Sequence, residues 1–156
     1  MAQTGYTPIQ LYHSTTAAAV PTAGNLAPGE LGLNIADMRL FCENSSGTVE
    51  LLAAPGIPIS GAAKTTNYTL LTTDVGQTIE VGTGGSITIP DATFAAGDAV
   101  IIFNNTTAGI TITCTITTAY IAGTDADKAT LTLATRGIAS ILFVSGTVCV
   151  VSGNVT

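Results

Sequence analysis

Residues 110–117 read Ile110-Thr111-Ile112-Thr113-Cys114-Thr115-Ile116-Thr117. Apolar side chains occupy every second position and threonines most of the others. Successive side chains of an extended chain point to opposite faces, so this stretch predicts a strand with one buried and one hydroxyl-lined face, as in antiparallel sheets. Ala129-Thr130-Leu131-Thr132-Leu133 repeats the pattern. Working outward, candidate strands fall at Tyr68–Thr72, Gln77–Val81, Ser86–Ile89, Ala99–Phe103, Gly109–Thr117, Ala129–Ala134, Ile138–Val144 and Thr147–Val151. Turn residues separate them: Asp74-Val75-Gly76, Thr83-Gly84-Gly85, Asn104-Asn105 and Ser145-Gly146. Short strands at this spacing, with no amphipathic helical stretch, predict an all-β domain over residues 66–156. Its expected form is a small antiparallel β-sandwich or jelly-roll-like barrel.

Upstream, Ala53-Ala54-Pro55-Gly56-Ile57-Pro58-Ile59-Ser60-Gly61 combines two prolines and two glycines, which break regular structure. The predicted organisation is therefore an arm and meander over 1–55, a linker over 56–65 and the β domain over 66–156. Within the first part, Glu30-Leu31-Gly32-Leu33-Asn34-Ile35 alternates apolar residues on one face. Met38–Cys42 and Thr48–Leu52 supply two more strands, with turns at Ala36-Asp37 and Asn44-Ser45-Ser46-Gly47. Three short strands with one apolar face lie near the lower limit of independent stability, so this meander needs a partner surface. Residues 1–29 read as an extended arm with Pro8, Pro21 and Pro28, whose apolar anchors are Tyr6, Ile9, Leu11 and Tyr12. Thr16–Val20 has helical propensity, but Pro21 stops it before it reaches a stable length.

Composition narrows the function. The 156 residues include 28 threonines, and only 9% are charged against 46% hydrophobic, for a formal charge of −6. Soluble domains carry about 25% charged residues. Four basic residues, Arg39, Lys64, Lys128 and Arg136, are too few to neutralise a phosphate backbone, which excludes nucleic-acid binding. The abundance of β-branched residues excludes disorder. No apolar run reaches the roughly 18 residues of a membrane helix. Residues 1–8 lack the basic and apolar regions of a secretory leader, which leads to an expectation of cytosolic synthesis. A charge deficit of this size points to surface that becomes covered in an assembly, because interface centres are depleted in charge.

No catalytic constellation emerges. His13, the only histidine, sits beside Ser14 in the arm, with no oriented acid and no nucleophile elbow. Cys42, Cys114 and Cys149 are widely spaced; the last two fall on inward strand positions, where a reduced thiol acts as a small hydrophobe. Without a secretory leader no disulfide is expected. Asp125-Ala126-Asp127 is the nearest approach to a calcium loop, yet two carboxylates in a Gly/Thr turn read as turn residues. Gly82-Thr83-Gly84-Gly85 has no following helix or lysine and reads as a β-turn. Neither an enzyme nor a cofactor or metal is expected.

Several stretches resemble the structural proteins of tailed-bacteriophage virions. In the first part these are Tyr6-Thr7-Pro8-Ile9-Gln10-Leu11-Tyr12, Asn25-Leu26-Ala27-Pro28-Gly29-Glu30-Leu31-Gly32-Leu33-Asn34-Ile35-Ala36-Asp37, Leu40-Phe41 and Ser45-Ser46-Gly47. The family commonly has Gly or Asn after the turn aspartate, where this chain has Met38. From Tyr68 onward the markers are Tyr68-Thr69-Leu70, Asp74-Val75-Gly76, Ile87-Thr88-Ile89-Pro90 and Gly146-Thr147-Val148-Cys149-Val150-Val151, similar to a small β domain of phage fibres and appendages. The resemblance implies a homotrimer that decorates a particle. Lacking shaft-forming repeats, the chain is more similar to a capsid cement or decoration protein than to a fibre. Implied partners are further copies of itself and the major capsid protein, with Tyr6, Ile9, Leu11, Tyr12, His13, Leu31 and Leu33 as the expected contacts across subunit joints. Its implied place is the capsid exterior, after synthesis in the host bacterial cytoplasm. The alternative is a tail or baseplate appendage, or a short fibre with an adaptor or glycan-binding role.

Overall fold

The computed structural model describes residues 11–156, so Tyr6 and Ile9 lie outside the described residues. The protein is all-β, and no α-helix occurs among the described residues. The chain divides after Gly56 into two compact units.

The first unit is a four-stranded sheet of β1 (Tyr12–Ser14), β2 (Leu31–Asn34), β3 (Arg39–Glu43) and β4 (Val49–Ala53), in that order. The expected meander is β2 to β4, paired antiparallel. β1 is an addition: part of the expected arm lies parallel beside β2, with Tyr12 opposite Gly32 and Ser14 opposite Asn34. Three residues are too few for side-chain periodicity to reveal a strand. The loop between β1 and β2 returns across one face of the sheet. Gly32 makes room for it, since a Cβ there would lie 3.2 Å from Pro21 and 3.4 Å from Leu26.

Asn34, almost fully buried, fastens that loop. Its amide nitrogen donates to the carbonyls of Thr16 and Ala19, while its oxygen accepts the N–H groups of Ala36 and Asp37. The β2–β3 turn is closed by Met38 in the left-handed region at φ 55°, the position where Gly or Asn is the cheaper residue.

The second unit, Ile57–Thr156, contains two sheets. One holds β5 (Asn67–Thr69), β7 (Ser86–Ile89), β9 (Ile110–Cys114) and β11 (Thr130–Leu133). The other runs in the order β10 (Thr118–Ile121), β13 (Val148–Gly153), β12 (Ile138–Ser145), β8 (Ala99–Asn104) and β6 (Thr78–Val81). From β5 to β12 the chain alternates between the sheets, a solenoid-like winding. Strands two steps apart therefore run parallel, as in β5–β7, β7–β9 and β6–β8. The winding then reverses, and β9–β11, β8–β12 and the β12–β13 hairpin are antiparallel, while β10 is parallel to β13.

Pairing is thus mixed, where the sequence led to an antiparallel, jelly-roll-like arrangement. Alternation reports that one face is buried and is silent on the direction of neighbouring strands. The expected strand Gly109–Thr117 is also two elements meeting at a corner. β9 ends at Cys114, and β10 begins at Thr118 in the other sheet. Between them the N–H groups of Thr115 and Ile116 both bond the Ile89 carbonyl, and the Asp91 carboxylate accepts the Thr117 N–H and hydroxyl. Threonine and isoleucine keep alternating around this corner because Ile116 still turns inward.

Inward residues of both sheets meet in one core that includes Ile79, Ile102, Ile141 and Phe143 from the larger sheet and Ile87, Ile112, Leu131 and Leu133 from the smaller. Phe94 stacks on Phe143 with centroids 3.9 Å apart. The stretch expected to be a linker follows the free edge of β6: Thr78 N–H bonds the Pro58 carbonyl, and Lys64 N–H bonds that of Glu80. At the β11 edge, Thr132 and Thr156 exchange backbone bonds. Covering edges in this way blocks uncontrolled strand addition.

Candidate functional site

Strand alternation gives each sheet of the second unit an outer face, and the two faces differ in chemistry. On the smaller sheet the outward positions are Asn67 and Thr69, Ser86 and Thr88, Thr111 and Thr113, Thr130 and Thr132. No charge and no aromatic interrupts this four-by-two array. Ser86 and Thr88 donate to the Asn67 side chain, which ties two of its strands together.

The larger sheet faces outward with hydrocarbon. β12 presents Ile138, Ser140, Leu142 and Val144, with Ile138 at 53%, Leu142 at 48% and Val144 at 53% exposure. Across from Leu142 stand Ala99 of β8 and Val150 of β13, and beyond Val150 lies Tyr120 of β10. Ile138 faces Phe103 and Ser140 faces Ile101. The one charged residue at these outward strand positions, Glu80, is on edge strand β6, where its carboxylate accepts the Asn105 amide. Asn105 in turn accepts from Arg136. Apart from the paired Ser140 and Ser152 the centre is apolar, and the rim is polar, the anatomy of a protein interface.

In the first unit, the face of the sheet opposite the covering loop carries His13, Leu31 and Leu33, with Leu40 opposite Leu33 and Cys42 opposite Leu31. These three expected partner-binding residues therefore share one face. Leu11 precedes β1 and is half-buried. Tyr12 points to the other face, where with Val20, Pro21, Asn25 and Asn34 it lines a small open cavity. His13 Nδ1 lies 3.2 Å from the Leu11 carbonyl, a purely local contact. On the covered face Glu43 is only 4% exposed, and its Oε2 has no hydrogen-bond partner among the described residues.

Several other polar groups are engaged within the fold. Asp74, buried, accepts the Leu71 N–H and the Tyr68 hydroxyl; burial, then that hydrogen bond and the nearby charge, raise the Tyr68 pKa. Lys64 sits over the Tyr68 ring at 4.4 Å. Asp127 accepts the Ala119 N–H and forms an isolated bridge to Tyr120, while the turn itself falls earlier, at Ala122-Gly123, so the residues Asp125–Asp127 expected as turn residues follow the turn and lead back along β10. Burial pushes the Cys114 thiol up to about 11 and the Cys149 thiol to about 12, with Asp127 adding to both. Neither is poised as a nucleophile, since the thiolate is the reactive form. Among the described residues no group of three His, Cys, Asp or Glu side chains is arranged to hold a metal ion.

Sequence reasoning located the leucines of the first unit through their alternation. It missed the outer face of β12, because Ile138-Ala139-Ser140-Ile141-Leu142-Phe143-Val144 is apolar on both faces and reads as a fully buried strand. A comparison with family models finds no match for the chain, and a comparison with curated proteins finds no relative.

Proposed function

We propose that the chain is a non-enzymatic structural protein of a tailed-phage virion: a homotrimeric decoration protein that binds over joints between major capsid protein subunits and stabilises the head. The observation that carries this reading is the leucine face of the first unit. Leu31, Leu33 and Leu40, each half-buried, make an apolar strip between His13 on one side and the exposed Glu50, opposite Cys42, on the other, on a sheet whose second side already has its own cover. A sheet of four short strands gains stability by laying such a face on another protein. The resemblance of Tyr6–Tyr12 and Asn25–Asp37 to virion structural proteins, together with the lack of a shaft-forming repeat, supports the capsid as that protein. The second unit, a sandwich-like knob of two facing sheets, serves to hold the copies together. Three attachment faces on one trimer multiply a modest single-site affinity by raising effective concentration.

The test is reconstitution on heads stripped of decoration. Wild-type protein should coat them in multiples of three and raise the temperature at which they release DNA. Leu33→Glu places a charge in the apolar contact and should lower occupancy by roughly tenfold or more. Coating unaffected by Leu33→Glu, or binding confined to tails, overturns the reading.

A further inference from the structure

We infer that copies of this chain join to one another through the outer face of the five-stranded sheet, with β12 at the centre of the contact. That the copies number three rests on the proposed function; the choice of surface rests on the sheet itself. Five strands about 4.8 Å apart and about six residues long give a footprint of roughly 24 by 20 Å, more once side-chain relief is counted. With its polar positions counted, that footprint is more than half of the roughly 800 Å² each partner contributes to a standard interface.

The chemistry of the face selects a second copy as its occupant. The chain carries a net charge of −6, so two copies repel wherever their acidic residues meet. At this face the outward strand positions carry one carboxylate, Glu80, at the rim and already engaged by Asn105. Ile138, Leu142 and Val144 meet their counterparts with no charge to desolvate. An anionic lipid surface is the wrong occupant, since such surfaces select basic residues and tryptophan, and this face presents neither. Ser140, opposite Ser152 and Ile101, is the polar group at the middle, where it can bond its counterpart.

Light scattering on the purified chain tests the inference. Wild type should form a defined oligomer at micromolar concentration, while Leu142→Glu and Val144→Glu should fall to the 15.6 kDa of a single chain with unchanged circular dichroism. Thr132→Glu, on the hydroxyl face, should leave the oligomer intact. A monomeric wild type, an oligomer indifferent to both β12 variants, or one dissolved by Thr132→Glu overturns it. Should the glutamate variants fail to fold, Ser140→Cys in a Cys42→Ser background gives a second readout. The new thiol should react with maleimide at least tenfold more slowly in the oligomer than after dilution; equal rates overturn the inference. A dimeric mass would support the face and overturn the trimer of the proposed function. Loss of head binding by an intact oligomer touches only the attachment reading.

Discussion

The Asn104 side-chain amide donates a 2.8 Å hydrogen bond to the carbonyl of Ala134, thirty residues further along the chain. The same nitrogen reaches the Ala108 carbonyl at 2.8 Å, and the amide oxygen accepts the Thr106 N–H. One fully buried side chain thus joins the end of β8, the approach to β9 and the end of β11. Asn104→Leu keeps the volume but leaves the buried Thr106 N–H without its acceptor, while the Ala108 and Ala134 carbonyls keep the Thr106 hydroxyl and the Gly137 N–H as donors. One orphaned buried group costs about 1–3 kcal/mol, so this variant should lower stability by about that amount in urea denaturation.

At the corner between the sheets, Asp91 accepts both the N–H and the hydroxyl of Thr117. Asp91→Ala removes these bonds while leaving the strands on either side in place. We expect a loss of about 1–2 kcal/mol, with fast amide exchange at Thr117 as the local signature.

Met38 holds φ 55° while 68% exposed, so its side chain contributes little packing to offset the backbone cost. Met38→Gly should raise the melting temperature of the first unit, by about 0.5–1 kcal/mol in free energy. A lower melting temperature would show that the side chain, not the backbone, decides this turn.

Glu43→Gln should also stabilise the first unit. Among the described residues the buried Oε2 has no hydrogen-bond donor, and a neutral amide of the same shape removes the charge from that site. The expected gain is about 1 kcal/mol, read as a shift of the urea midpoint without a change in slope.

Alkaline pH should weaken the second unit. Cys114 and Cys149 ionise in the fold at about 11 and about 12, against 9.0 in the unfolded chain. The unfolded chain then loses protons first. The stabilising contribution is complete below pH 9 and disappears as pH rises towards 12. Tyr68, raised above its ordinary value of 10.0, acts in the same direction. Cys149→Ala should flatten the fall in melting temperature between pH 9 and 12. At pH 8, Cys42 should react with a thiol reagent well before the two buried cysteines.

Strand positions were legible wherever one face met the core and the other met solvent, as in Ile110–Thr113 and Thr130–Leu133. Winding was not. Residues 110–117 alternate without interruption through Thr115 and Ile116, although the chain changes sheets there, because a corner that wraps the core keeps the same inward residues. The Tyr12–Ser14 strand was hidden by its length and by a parallel partner that follows sixteen residues of loop. Leu31 and Leu33 could be read as an apolar face from alternation alone. The β12 face could not, since Leu142 and Val144 are as apolar as Ile141 and Phe143, and only the sheet order shows which pair looks outward.

The array of threonine, serine and asparagine on the smaller sheet holds its water through dipoles, and ionic screening acts on net charges. A surface of that kind has no counterion cloud to gain or lose. Contacts made through this face should therefore keep their strength from fresh water to brine, while the acidic remainder of the chain, at net charge −6, still responds to salt.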